Sequence, residues 1–354
     1  MWLEVVVVVV IAVVSVRVVY RRRAGRCLSP ARLHGKTVIV TGSSAGIGKA
    51  AALDFAKRGA RVILACRNLD KAGKVADEII ECSGNSSVEV RQLDTSDLSS
   101  VRHFAAGILK SEEYLHILVN NAGIIGPRQK KLTEDGLELT MATNHYGHFL
   151  LTNLLLGLLK RSAPSRIINV SSLAHKFCYK LDPEDLNFEK SSYMMGYSTY
   201  GQSKLCNVLF TLELSNKLKG TGVTANCLCP GSVATEIFHK TAGILFYIAH
   251  LLFLLMAKEG TGEADDSVLP GWGDASRLQQ VGRSQVVTFR DPELGAQTIV
   301  HLAVADEVDG ISGKYFVDCK EEKFSGLGGH RGMAKKLWLA SELDVKLLEE
   351  ETHY

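Results

Sequence analysis

From Lys36 onward, short runs rich in Val, Ile and Leu alternate with longer stretches whose apolar residues recur at helical spacing. The pattern predicts strands at TVIVTG (37–42), RVILAC (61–66), VEVRQL (88–93), HILVNNAG (116–123), RIINVSS (166–172), VTANCLCPG (223–231) and GKYFVDC (313–319). Most of these runs are continuously apolar rather than alternating, which implies strands buried on both faces of a parallel sheet and covered by helices on each side. The expected architecture over residues 36–320 is therefore a single doubly wound (Rossmann) α/β domain with a parallel seven-stranded sheet.

The first residues follow a different rule. MWLEVVVVVVIAVVSVRVVY (1–20) is apolar from Leu3 to Tyr20 apart from Glu4, Ser15 and Arg17. Roughly 18 helical residues span about 27 Å, close to one hydrocarbon core. The basic cluster RRRAGR comes directly after the run, whereas a cleaved signal carries its charges before it. The reading is an N-terminal transmembrane helix in contact with a lipid bilayer, then a basic linker over 21–35 that keeps the rest on the cytosolic side. A second apolar run, 242–257, is short for a span and reads as a core helix, a lid over an apolar substrate or a helix dipping into a membrane surface. Residues 258–290 read as an insertion rich in Gly, Asp and Ser, and the tail 321–354 carries a helix from Met333 to Glu350 that packs on the body.

With 46% hydrophobic and 22% charged residues in 354, the chain has ordinary globular composition, and a net charge of +3 leaves no nucleic-acid footprint. The eight cysteines include no CxxC and show no metal-ligand spacing, so they read as free thiols in a reducing compartment. His145, His148 and His175 have no companion ligands and read as packed or solvent-facing, and no metal is expected. Cys206 and Cys229 read as packing residues.

Directly after the first strand stands TGSSAGIG, followed by a helical stretch. Glycines in a turn that opens a helix let backbone N–H groups approach a pyrophosphate, aided by the helix dipole. Gly42, Ser43, Ser44, Gly46, Ile47 and Gly48 are the candidate phosphate cradle. The second strand ends in Cys66 and Arg67, where a carboxylate would mark NAD; a guanidinium there suits the 2′-phosphate of NADPH/NADP+, with no acid at hand to repel it. Lys49 is a second candidate for that phosphate. Asp94, past the third strand, is placed for the adenine edge or to cap the next helix. Asn121, Ala122 and Gly123 end the fourth strand, where small residues let a backbone pass close to the ribose and nicotinamide.

YGQSK sets Tyr200 and Lys204 one helical turn apart on one face. A cation beside a phenol stabilises the phenolate and lowers its pKa from about 10, making Tyr200 a usable proton donor and acceptor. Ser172 lies at the carboxyl end of a strand, the ligand-binding edge of such sheets, where its hydroxyl can hold a developing alkoxide. Asn144 lies inside a helical stretch that otherwise disfavours Asn.

With TGSSAGIG, NNAG, Asn144, Ser172, YGQSK and PGSVATE (230–236) in order, the chain resembles the short-chain dehydrogenase/reductase superfamily over residues 36–320. The resemblance implies a catalytic tetrad of Asn144, Ser172, Tyr200 and Lys204, with protons resupplied to Lys204 through Asn144 and water. It also implies closure of Pro230, Gly231, Val233 and Thr235 over the nicotinamide, and a hold by Lys204 on the nicotinamide ribose. ACRN, NHYGHFLL, NVSSLAH, SKLCNVLFT and SGKYFVDCK, with the apolar N-terminus, are similar to the membrane-bound retinol dehydrogenases. That likeness implies NADP(H)-dependent interconversion of retinal and retinol, or of another lipophilic aldehyde and its alcohol, at the endoplasmic reticulum membrane. Steroid, keto-lipid and lipid-peroxidation carbonyls are the alternative substrates, a non-catalytic NADP-binding scaffold is the alternative class, and assembly into an oligomer is left open. Two departures stand out: Cys229 precedes Pro230 where these relatives commonly carry His, and the insertion near 258–290 is long for the group.

Overall fold

The computed structural model describes residues 24–193, 195–231, 233 and 291–354. The readings placed on 1–20, 242–257, 258–290 and Thr235 lie outside those residues. Among the described residues no helix is long and apolar enough to cross a membrane.

Eight strands form one sheet among the described residues, in the order β3-β2-β1-β4-β5-β6-β7-β8. They are β1 (Thr37–Thr41), β2 (Arg61–Cys66), β3 (Val88–Gln92), β4 (Ile117–Asn120), β5 (Ser165–Val170), β6 (Val223–Cys229), β7 (Tyr315–Val317) and β8 (Lys320–Glu322). The pairs from β3 to β7 are parallel. The eighth strand corrects the seven-stranded expectation. Asp318 and Cys319 both take positive φ, 53° and 60°, which closes a two-residue hairpin and lays β8 antiparallel on β7. Neither residue is a turn glycine, and KEE has no strand pattern, so nothing local announces the hairpin.

Among the described residues the α-helices longer than three residues are α1 (Gly46–Lys57), α2 (Leu69–Ser83), α3 (Leu98–Ser111), α4 (Gly147–Arg161), α5 (Met195–Lys217), α6 (Pro292–Val304) and α7 (Arg331–Asp344). They divide between two cores, one on each sheet face. Val38, Val40, Val62 and Leu64 pack with Phe55, Ile79 and Ile299 from α1, α2 and α6. Ile39 and Ile63, the intervening residues, pack with Phe104, Phe149, Leu209 and Trp338 from α3, α4, α5 and α7. Continuous apolar strands are the sequence form of that arrangement, because each successive side chain finds a core on its own side. The tail joins the second core: Trp338 of α7 meets Phe149 edge-on at 4.9 Å between ring centroids and lies 5.7 Å from Phe210.

Strand order reverses between β1 and β4, which opens a crevice at their carboxyl ends. The glycine turn after β1 and the loop Asn121–Gly123 after β4 face each other there.

Candidate active site

The crevice is built by the absence of side chains. Gly42 has φ 66°, and a Cβ on it would come 2.7 Å from Ala122 Cα. A Cβ on Gly48 would come 2.5 Å from Asn121 Nδ2 and 2.7 Å from Gly42 O. Thr41 ties the two loops together: its Oγ1 accepts from the N–H groups of Asn121 and Ala122, both at 2.9 Å, while Asn121 Nδ2 donates to Thr41 O at 2.8 Å. Helix α1 opens at Ala45 with no side-chain cap and no acid in its first turn. Its amino-terminal N–H groups are thus left to serve an anionic ligand, and the donor set fits a dinucleotide pyrophosphate. Val233, buried, closes on this turn together with Ile47: a Cβ on Gly295 at the start of α6 would meet Val233 Cγ2 at 2.6 Å and Ile47 Cγ2 at 2.8 Å.

Several expected cofactor residues take altered roles. Ser43 is fully buried, and its hydroxyl donates inward to Val40 O at 3.0 Å, so only its backbone faces the crevice. Lys49 is ion-paired with Glu78. Arg67 is well exposed, with Nη1 3.6 Å from Asp94 Oδ2. An acid therefore does stand beside it, contrary to the sequence reading, because the turn after β3 brings Asp94 next to the end of β2. The other Asp94 oxygen accepts from Ser96 N and Oγ at 2.9 and 2.6 Å, and α3 is capped by Asp97 instead. Ser44 and Gly46 lie in the same turn, and Pro230 and Gly231 follow β6 at the same sheet edge, Gly231 with φ 78°.

The four expected tetrad residues converge beside the crevice. A Cβ on Gly123 would lie 3.2 Å from Asn144 Oδ1 and 3.4 Å from Lys204 Nζ, so the β4 loop runs directly against both. Asn144 sits in a five-residue π-turn, Ala142–Tyr146, that leads into α4. Its amide is fully committed: Oδ1 accepts from Ile124 N at 2.8 Å, and Nδ2 donates to Ile124 O at 3.0 Å and Ser203 Oγ at 2.9 Å. Lys204, 4% exposed, donates to Val170 O at 3.1 Å and stands 5.7 Å from the centroid of the Tyr200 ring. Ser172 starts a 3-10 turn (Leu173–Phe177), accepting from Ala174 N at 3.2 Å, and its carbonyl accepts from His175 Nδ1 at 2.6 Å.

The electrostatics of the protein alone run against the sequence expectation for Tyr200. Part of its side chain is accessible, yet burial around the ring pushes the phenol up to about 12, with a Ser172 hydrogen bond pulling the other way. Burial brings Lys204 down to about 8. Desolvation penalises both charged forms, and the ammonium is directed at Val170 O, so the cation does not deliver a low phenol pKa here.

Sequence reasoning missed Thr41, Asn207 and the structural use of the histidines. Asn207 donates to Asn144 O at 3.0 Å and Val170 O at 3.3 Å. A signal existed, since Tyr200, Lys204, Asn207 and Thr211 fall at i, i+4, i+7 and i+11, a polar stripe along one face of the helix. Burial lowers His145 to about 4, His148 to about 3 and His175 to about 4, so all three are neutral near pH 7.

A family model described as short chain dehydrogenase matches residues 36–182. Retinol dehydrogenase 13 of Mus musculus is 42% identical over 322 residues, a match covering 90% of this chain and 86% of that protein. Retinol dehydrogenase 14 of Homo sapiens is 41% identical over 349 residues, covering 95% and 93%. Among solved structures, an uncharacterized protein from Mycobacterium paratuberculosis is similar with a TM-score of 0.66 at 29% identity, over 91% of this chain and 98% of that one.

Proposed function

Because the chain belongs to the short-chain dehydrogenase/reductase family, oxidoreductases acting on CH–OH groups, we propose that it interconverts retinal and retinol, or a closely similar lipophilic aldehyde and alcohol, with NADP(H). The observation that carries the reading is the placement of Gly123, where an added Cβ would lie 3.2 Å from Asn144 Oδ1 and 3.4 Å from Lys204 Nζ, which sets the loop after β4 beside the proton-handling side chains. The retinoid assignment follows the names of the relatives at 41–42% identity.

The residues that would hold the dinucleotide are Gly42, Ser44, Gly46, Ile47 and Gly48 with the Ser43 backbone, then Asn121, Ala122, Gly123, Pro230, Gly231 and Val233, with Thr235 closing the set. When bound, the nicotinamide supplies or takes the hydride. Tyr200, whose raised pKa keeps its phenolic proton in place at neutral pH, donates that proton to the oxygen that becomes an alkoxide. Ser172 gives that oxygen a second hydrogen bond. Lys204, its Nζ 5.7 Å from the ring centroid, does not set the resting phenol pKa but puts a positive charge on the side of the phenolate that Tyr200 leaves behind. Asn144 acts as a scaffold in this account, since His148 and Asn207 both already donate to its carbonyl oxygen and a water relay through that atom has no lone pair to use.

Arg67 is assigned to the 2′-phosphate: its exposed guanidinium is free to swing from Asp94 toward a dianion. The apolar run 3–20 is assigned to anchorage in the endoplasmic reticulum membrane, where a retinoid is dissolved. The test is cofactor oxidation by detergent-solubilised protein with all-trans-retinal, NADPH run beside NADH, in the wild type and in Arg67→Asp. Turnover that prefers NADPH, with the preference reduced at least about tenfold in the variant, supports the assignment. Turnover of steroid ketones but not retinal replaces the substrate, and an unchanged preference removes Arg67 from cofactor selection.

A further inference from the structure

The sequence reads the two histidines of NHYGHF as packed or solvent-facing, and the structure buries both and gives them ordered partners. His148 is 1% exposed, and both ring nitrogens are engaged. Nδ1 lies 3.1 Å from the carbonyl oxygen of Asn144, an atom that can only accept, so Nδ1 carries the proton. Nε2 is then an acceptor, and it lies 2.9 Å from Thr41 Oγ1. Thr41 Oγ1 in turn receives the N–H groups of Asn121 and Ala122, which fills its lone pairs, and its own hydrogen has two acceptors within reach, His148 Nε2 at 2.9 Å and Val119 O at 3.3 Å, of which His148 is the nearer. On the other side of Asn144 O, Asn207 donates its amide to that oxygen and to Val170 O, the carbonyl that also holds Lys204. Asn207 Oδ1 therefore faces His145 Nδ1 at 3.3 Å, and His145 Nε2 faces Ser341 Oγ of α7 at 2.9 Å. The donors and acceptors can be assigned consistently from end to end with both rings in the Nδ1–H tautomer.

We propose that His148 is a positioning residue that ties the Asn144–Lys204 side of the reaction centre to the loop that seats the cofactor. The proposal rests on the reading above for the roles of Asn144 and Lys204, and it concerns how two parts of that site keep register. The π-turn matters here. Gly147 N–H closes on Ala142 O five residues back, and the widened turn lets two side chains reach the carbonyl of Asn144. One imidazole then spans from that carbonyl to Thr41, at the hinge of the glycine turn and the Asn121–Gly123 loop. Any shift of the cofactor loop is felt at Asn144, and the reverse.

Two variants of the full-length protein in detergent separate the two ends of the ring. In His148→Asn the amide can still donate to Asn144 O, as Asn153 already does to Phe149 O four residues back in α4 at 2.8 Å, but it does not reach Thr41. NADPH, titrated by quenching of protein fluorescence, should bind about tenfold more weakly, while kcat with all-trans-retinal falls less than about threefold. In His148→Gln the longer amide can accept from Thr41 but loses the donor to Asn144 O. There kcat should fall on the order of 30- to 100-fold with NADPH affinity within about threefold of wild type. A merely structural histidine predicts losses in kcat and affinity that are proportional in both variants and follow the fall in melting temperature, and that result overturns the proposal. If wild type fails to reduce retinal, the substrate assignment falls, while the NADPH titration still decides whether the ring couples to the cofactor seat. Nitrogen-15 spectra of histidine-labelled wild type give a check that needs no variant to fold: His148 should be the neutral Nδ1–H tautomer from pH 5 to 8. An Nε2–H tautomer, or a titration in that range, also overturns it.

Discussion

The cofactor-facing loops and the tetrad lie against each other at Gly123, yet they reach precision by opposite means. Around Gly42 and Gly48 the protein removes atoms: a methyl group on either would drive into backbone or into the Asn121 amide, and α1 begins with no cap competing for its N–H groups. Around Asn144 and Lys204 it adds them, since both residues are buried and their polar atoms are taken by named partners. The first region therefore fails when something is inserted, and the second when a polar atom is deleted. Backbone donors need room for the ligand to approach, whereas a buried side chain that must hold a reacting proton needs every other polar atom nearby satisfied.

Three measurements press on that contrast. The largest effect should come from deleting one oxygen in the second region. Tyr200→Phe should lower kcat about 10³-fold or more, with NADPH affinity by titration within about twofold of wild type. A variant keeping a tenth of its activity would show that the proton comes from elsewhere. Next is a single methyl in the first region. Gly48→Ala places a Cβ 2.5 Å from Asn121 Nδ2, and it should weaken NADPH binding roughly 100-fold, because the loops must part just where the backbone has to approach the ligand. If its deficit appears in kcat at saturating NADPH instead, the two regions are not separable in this way. The smallest is a pH limb. Burial sets Lys204 at about 8, so it is charged below that pH and neutral above it, and retinal reduction should fall roughly tenfold between pH 7 and 9. Lys204→Arg, which stays charged, should lose that limb whatever its absolute rate.

The doubly wound sheet was legible because most of its strands are continuous apolar runs separated by stretches of helical spacing. The glycine turn was legible because strand, turn and helix are contiguous in the chain. That Tyr200 and Lys204 share a face was legible because helical geometry puts i and i+4 together, while the roles expected of them came from the family resemblance. Three features were not. Strand β8 depends on Asp318 and Cys319 accepting positive φ, which their identities do not advertise. The inward turn of Ser43 depends on a nearby carbonyl, Val40 O, and on complete burial. The acid beside Arg67 comes from the next strand over.

The sequence by itself determined the parallel α/β fold class, the strand–glycine turn–helix unit and the one-face placement of Tyr200 and Lys204, because each is written in residues close together in the chain. The tertiary structure decided how those side chains are held and charged. Thr41 meets His148 across 107 positions and His145 meets Ser341 across 196, distances over which no local pattern carries information. The directions in which Tyr200 and Lys204 shift follow from burial, which exists only once the two cores have closed around them.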